Sequence, residues 1–121
     1  MAKTTKKDFE LFRKEVRKWQ GILGLLDWEI CCVHGGTDEG NRAECQPDLP
    51  NQFATVFFAD KIDDREYNPI HTIKKAALHE VGEVLMWQLR MFACYSMNAE
   101  LVDREVHKVI RTLENVLLPK Y

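Results

Sequence analysis

The stretch from Pro69 to Cys94 constrains the fold more than any other part of this chain. Apolar residues recur in it at three- and four-residue steps, and a proline occupies its start, where it suits the first turn of a helix. The sequence therefore predicts one long helix with an apolar face. The predicted core residues of this helix are Ile73, Ala77, Leu78, Val81, Leu85, Leu89 and Phe92.

Two more helices and three strands are predicted elsewhere. Residues 5–24 have helical periodicity, with Thr4 or Thr5 as the N-cap, and a last helix runs from about Ala99 to Leu118. The core seam of the last helix is predicted to be Val102, Val106, Val109, Leu113 and Val116. The predicted strands cover 28–33, 42–46 and 53–59. This order indicates an α+β fold, with helices segregated from a small antiparallel or mixed sheet.

Breaks and a polar connection separate the predicted elements. Pro47 and Pro50 are expected to interrupt the chain after the second strand. Residues 60–68 are expected to form a polar connection that leads into the long helix. These breaks leave the predicted strands short.

The bulk composition is that of a small globular domain. The 121 residues suffice for one domain, 1–121, with one core. A net charge of −2 gives no overall field that would favour nucleic acid or a membrane surface. No apolar run reaches the ~20 residues that cross a bilayer, and no apolar segment follows the basic N-terminus, so we expect a cytoplasmic protein. The four cysteines contain no Cys-x-x-Cys pair and are interpreted as reduced thiols.

The long helix carries the pattern His79-Glu80-x-x-Glu83. Residues four apart lie on one face of a helix, so His79 and Glu83 can bind one metal ion. Glu80 would then act as general base on a metal-bound water. The layout is that of the zinc peptidases, His-Glu-x-x-His, with glutamate in place of the second histidine. Gly82, between the two ligands, lets a neighbouring element approach closely or simply allows a close helix crossing.

A catalytic metal needs a third protein ligand, which is sought on the last helix. His107 is the preferred candidate, and Glu100, Asp103 and Glu105 are the alternatives. Two imidazoles and one carboxylate are a common complement for catalytic zinc, and they leave a net charge of +1 to polarise water. The competing interpretation is a surface histidine whose acidic neighbours one turn away only stabilise the helix.

These residues resemble the minimal zincin group, the small single-domain SprT-like or minigluzincin-like zinc peptidases common in phage and prophage genomes. Three segments carry the resemblance and together span nearly the whole chain in the expected order: Trp19 to Ile30, Ala76 to Leu85, and Val106 to Glu114. The helix motif is moderately specific, and the other two segments are supporting pattern matches.

The resemblance implies a zincin fold, in which an N-terminal helix packs on a small sheet of about three strands and a motif helix and a ligand-bearing helix follow. By position it implies that His79 is the first ligand, Glu80 the catalytic base and His107 the downstream ligand. Glu83 departs from the family pattern, which has histidine there. The strand 53–59 is similar in position to the sheet edge that pairs with an extended substrate in zincins.

Three functions are compatible with the sequence. The first is a zinc-dependent peptidase that acts on a protein or peptide and binds neither nucleic acid nor membrane. The second is a catalytically inactive, zincin-derived protein-binding module of phage origin. The third is a helical interaction protein whose motif is accidental. Histidine and carboxylate ligands also serve Mn²⁺ and Fe²⁺, so Zn²⁺ is an expectation that the ligand types alone leave open.

Overall fold

In the described residues, three helices, a three-stranded mixed sheet and a two-stranded antiparallel pair make up this α+β protein. The computed structural model describes residues 2–48, 50–62, 69–95 and 97–118. The helices are α1 (Lys6–Ile22), α2 (Pro69–Cys94) and α3 (Ala99–Leu117). The strands are β1 (Ala2–Lys3), β2 (Glu29–His34), β3 (Ala43–Asp48), β4 (Phe53–Phe58) and β5 (Lys61–Ile62).

The sheet is built around β4, which pairs in parallel with β2 and in antiparallel with β3. Side chains alternate along β4, so that Ala54, Val56 and Phe58 are buried in the core. The strand predicted to lie at the substrate-binding edge is therefore central, and that prediction was wrong, since β2 and β3 occupy both of its sides. The edge strand that contacts α2 is β3.

Two predictions near the strands also need correction. Pro47 does not interrupt the chain but lies within β3, opposite Ala54. An edge strand tolerates proline because one side of its backbone has no strand to donate to. The predicted polar connection contains β5, which pairs in antiparallel with β1. Its remaining residues, 63–68, lie outside the described residues.

The core lies between α1, α2 and the sheet. The ring of Phe12 from α1 stacks on the ring of Phe58 from β4, with centroids 4.8 Å apart. Thr5 caps α1, with its side chain accepting from the backbone N–H of Asp8 and the Asp8 side chain accepting from the Thr5 N–H. The N-cap of α3 is Asn98, whose side chain accepts from two backbone N–H groups of its first turn.

The predicted core face of α2 is buried only in its first half. Ile73, Ala77, Leu78 and Val81 are buried in the main core, whereas Leu89 and Phe92 are about three-fifths exposed. Leu85 is also exposed. The physical reason is that the second half of α2 turns a different face, with Met86 and Ala93, toward α3. Periodicity identifies the apolar face of a helix but not how much of it is covered.

The predicted core seam of α3 also differs from the observed one. The buried residues are Val102, Val106, Ile110 and Glu114, which recur every four residues, while Val109 and Val116 are exposed. Ile110 lies over Gly82 of α2, where an added Cβ would be 3.4 Å from two of its side-chain carbons. This close crossing sets which face of α3 is turned to α2. Among the described residues, no helix is long and apolar enough to cross a membrane.

Candidate metal centre

Side chains from α2 and α3 converge where the two helices cross. Nε2 of His107 is 3.1 Å from Oε1 of Glu83, and Nε2 of His79 is 3.7 Å from the same oxygen. The two imidazole centroids are 5.5 Å apart. One ligand atom from each of the three residues lies within 4.8 Å of the others, so this group can hold a metal ion. Ligand atoms around a tetrahedral zinc are about 3.3 Å apart, close to the two shorter separations.

His79 is oriented by Glu114, a carboxylate that is almost fully buried on α3. Nδ1 of His79 lies 3.0 Å from Oε2 of Glu114. The carboxylate accepts the Nδ1 proton, so that in the neutral ring the lone pair is on Nε2, facing Glu83. This hydrogen bond is the main cause of the raised pKa of His79, which burial opposes and the neighbouring carboxylates reinforce.

His107 is oriented in a similar way by the backbone of its own helix. Its Nδ1 is 2.8 Å from the carbonyl oxygen of Asp103, one turn earlier. A carbonyl oxygen can only accept, so Nδ1 carries the proton and Nε2 of the neutral ring presents a lone pair. Both histidines thus direct their Nε2 atoms toward the Glu83 carboxylate.

The two oxygens of Glu83 have different surroundings. Oε2 is 3.0 Å from Nη2 of Arg90, which also pairs with Asp103 of α3. Oε1 is buried and has no hydrogen-bond donor in the described part of the chain. The 3.1 Å separation from His107 is within ion-pair distance, but its geometry is not that of a hydrogen bond. Oε1 is therefore a buried acceptor that faces two further acceptors.

Three acceptor atoms at such distances repel one another unless a cation lies among them. That cation is either a proton on an imidazole or a metal ion, and a bare buried carboxylate oxygen costs free energy in the absence of both. A proton on Nε2 of His107 satisfies Oε1 poorly in this geometry. A metal ion accepts electron pairs from all three atoms, so the donor set fits a metal better than a proton.

Glu80 projects from α2 into a different environment. Its side chain is buried, and it lines a cleft of about 490 Å³ together with His79 and Glu114. The pKa of the Glu80 carboxyl is raised to about 7: burial is the main cause, the charge of His79 opposes it, and neighbouring carboxylates including Glu83 reinforce it. Burial also raises the pKa of the Cys45 thiol on β3, with a smaller contribution from Glu80 and Glu83. A carboxyl with a pKa near 7 suits proton transfer at neutral pH.

The other candidate ligands do not belong to this three-residue group. Asp103 pairs with Arg90, which is the main cause of its lowered pKa, and Glu105 pairs with Lys108. Glu100 is exposed in the first turn of α3. His34 is hydrogen-bonded to Thr4 and does not belong to the cluster. Within the ranges that the structure covers, the three-residue group of His79, Glu83 and His107 is the one found.

Two residues that support the cluster were missed from the sequence. Glu114 follows His107 by seven residues, two turns of helix, and that spacing places both on one side of α3. Arg90 follows Glu83 by the same interval on α2. The spacing could have suggested both contacts, but a buried Glu and a half-buried Arg are recognisable only once the helices are packed.

Comparison with known proteins leaves the site to be interpreted from its own chemistry. No protein-family model, no curated protein and no solved structure matches this chain.

Proposed function

We propose that this protein is a zinc-dependent peptidase with a zincin-like arrangement, in which His79, Glu83 and His107 hold the metal. The observation that carries the proposal is Oε1 of Glu83, buried without a donor and facing the Nε2 atoms of two histidines. In a purely structural ion pair, both oxygens of a buried carboxylate are expected to meet N–H groups. The sequence motif and this geometry are separate supports for the same ligand set.

Zinc suits the donor set by type and by charge. Two imidazoles and one carboxylate leave a coordination position for water and a net charge of +1. When bound, zinc supplies a polarised water and a Lewis acid for the peptide carbonyl. Glu114 and the Asp103 carbonyl fix the two imidazoles, and Arg90 fixes the carboxylate, so the ligands need little reorganisation to bind the metal.

Glu80 is the proposed general base. It follows His79 directly on α2 and lines the cleft beside the cluster, where it is in position to accept a proton from a water. A pKa of about 7 lets the carboxylate accept a proton and later release it to a leaving amine at neutral pH. Bound zinc lowers that pKa, since the ion favours the carboxylate form.

The sheet supports a peptide as the substrate class. The strand β3 is an edge of the three-stranded sheet and contacts α2, and its first residue, Ala43, lines the same cleft as Glu80. An extended peptide can pair with such an edge through its main chain, which gives affinity with little demand on sequence. The proposed zincin-like arrangement is thus a sheet edge, a motif helix and a ligand helix around one cleft.

The interchange of ligands between the helices is explained by the surroundings of Glu83. In the zinc-peptidase layout the second ligand of the motif helix is histidine and the downstream ligand is often glutamate. Here the carboxylate is on α2, where Arg90 holds its second oxygen, and the imidazole is on α3, where a main-chain carbonyl orients it. We therefore interpret Glu83 and His107 as a compensated exchange that preserves the donor set.

The direct test is metal content together with hydrolysis. Protein purified without a chelator or a histidine-rich tag is expected to contain about one equivalent of zinc by elemental analysis. It is expected to release fluorescence from a heavily labelled casein, whereas the Glu80→Gln protein binds zinc equally and releases none. Absence of a bound transition metal would exclude the site, and equal activity in the Glu80→Gln protein would exclude the proposed base.

A second function is favoured by one surface. An apolar groove of about 350 Å³ lies between α2 and α3, and its lining includes the exposed residues Leu89, Met97 and Val109. Such a surface suits protein binding, as in a catalytically inactive zincin-derived module. That function predicts zinc without hydrolysis in both the natural and the Glu80→Gln protein, which the same experiment detects.

A further inference from the structure

The cleft beside the metal cluster is ringed by basic side chains from four separate parts of the fold. Lys75 is on α2, one turn before His79, and Arg111 is on α3, one turn after His107. Lys61 of β5 and Arg42, just before β3, complete the ring. The chain as a whole has a net charge of −2, so this concentration of positive charge is local.

The acidic side chains that line the cleft are more buried than these basic ones. Among the cleft-lining residues that the structure describes, the carboxylates are those of Glu80 and Glu114; both are buried, and Glu114 is engaged by His79. Lys61 and Arg111 are exposed, and Lys75 is half-buried. A molecule that enters the cleft therefore meets positive charge at the opening and the proposed catalytic groups deeper inside.

We propose that this cleft binds acidic peptide segments, with Asp or Glu side chains at the basic ring and the neutral main chain over His79 and Glu80. The inference rests on the proposed function for the statement that the bound peptide is cleaved, but not for binding. It assigns Lys75 and Arg111 as residues that determine specificity. Exposed ion pairs are individually weak, but several around one concave site select strongly between charged and neutral ligands.

The arrangement of charges favours a peptide over nucleic acid. A nucleic acid carries a phosphate at every nucleotide, and a strand lying across the cleft would bring phosphates near Glu80 and Glu114. A peptide presents neutral amides over the same carboxylates and places its charges only at side chains. The acidic peptide thus matches both the basic opening and the acidic floor of the cleft.

The test is a binding measurement that does not require hydrolysis. The Glu80→Gln protein is titrated, with and without zinc, into two short fluorescein-labelled peptides, one of alternating Ala and Glu and one of alternating Ala and Gln. Fluorescence anisotropy is expected to show tighter binding of the Glu peptide. Adding Lys75→Gln and Arg111→Gln together is expected to weaken that binding about fivefold, since two positive charges at the cleft are removed.

A matched control removes two basic side chains away from the cleft. Lys14 and Arg17 of α1 are exposed, and Lys14→Gln with Arg17→Gln changes the net charge equally. This control is expected to leave peptide binding unchanged, and thermal unfolding followed by circular dichroism verifies that each variant is folded. Equal affinity for the Glu and Gln peptides would overturn the inference. So would an equal loss of affinity in the control, or tighter binding of a labelled oligothymidylate that Lys75→Gln and Arg111→Gln abolish.

The outcomes for binding and for cleavage are separable. Selective binding of the Glu peptide without hydrolysis by the natural protein would contradict the proposed peptidase and retain the acidic-peptide site. Hydrolysis of casein with no discrimination between the two peptides would retain the peptidase and overturn the acidic-peptide site.

Discussion

Nδ1 of His79 and Oε2 of Glu114 are 3.0 Å apart and join α2 to α3 across 35 residues of sequence. The contact fixes the imidazole so that Nε2 faces Glu83. We predict that Glu114→Gln lowers zinc affinity by about tenfold or more, since loss of such a supporting carboxylate typically has that effect. Competition with a chromophoric chelator measures the affinity. The control is Glu105→Gln, which changes an exposed acid of the same helix and is expected to leave zinc affinity unchanged.

Zinc is expected to stabilise the folded protein. The three ligands come from two helices, and the unfolded chain does not hold them together, so binding favours the folded state. At a free zinc concentration of about 100 times Kd, the free energy of unfolding should rise by about 3 kcal/mol. Thermal unfolding with zinc and with EDTA measures the difference, and Mg²⁺ is expected to have no comparable effect.

His107→Ala should remove most of this stabilisation by zinc. His79→Ala and Glu83→Ala should do the same, because each removes one of the three proposed ligand atoms. Unchanged zinc stoichiometry in the His107→Ala protein would contradict the assigned ligand set. The third ligand would then be one of the alternatives, Glu100, Asp103 or Glu105. The His34→Ala protein is the matched control, since this histidine lies outside the cluster.

Periodicity in the sequence predicted the elements of the fold well. The long helix was predicted at its observed bounds, and the motif together with His107 predicted the group that the two helices bring together. These predictions succeeded because helical spacing is a local property that the sequence states directly. The convergence of His79, Glu83 and His107 depends on one further fact, that α2 and α3 cross near Gly82.

Features that depend on packing between elements were not predicted. Leu89 and Phe92 were assigned to the core and are exposed. The periodicity of α2 does not show how far along the helix the neighbouring elements cover it. The strand β4 was assigned to the substrate-binding edge, but strand order is set by the pairing of whole strands. The contacts of Glu114 and Arg90 were missed for the same reason, since each depends on the distance between two helices.

In the metal-free protein, Glu80 should make folding stability depend on pH. The pKa of its carboxyl is raised from 4.5 to about 7, so between these values the folded protein retains a proton that the unfolded chain releases. The free energy of unfolding therefore falls as the pH rises through this range, by up to about 3 kcal/mol. Glu80→Gln should remove that contribution. At pH 8 the metal-free Glu80→Gln protein should therefore be more stable than the metal-free natural protein.

The measurement is urea unfolding with EDTA at several pH values between 4.5 and 8. The informative quantity is the difference between the natural and the Glu80→Gln proteins, because His79 also titrates and its raised pKa likewise lowers stability as the pH rises. A difference that stays constant over the whole range would contradict the raised pKa of Glu80.

Replacing Glu83 by histidine restores the zinc-peptidase motif and should nevertheless impair this protein. The change removes the partner of Nη2 of Arg90, whose side chain is only 16% exposed, and places a third imidazole against the other two. We expect Glu83→His to lower the free energy of unfolding by about 1–3 kcal/mol and to give no gain in zinc affinity. Adding Arg90→Gln should recover part of the lost stability, because the half-buried cation that lost its Glu83 partner is then gone. Urea unfolding and chelator competition on the single and double variants measure both effects. Tighter zinc binding by Glu83→His alone would contradict the interpretation of Glu83 and His107 as a compensated exchange, in which the donor set is already complete.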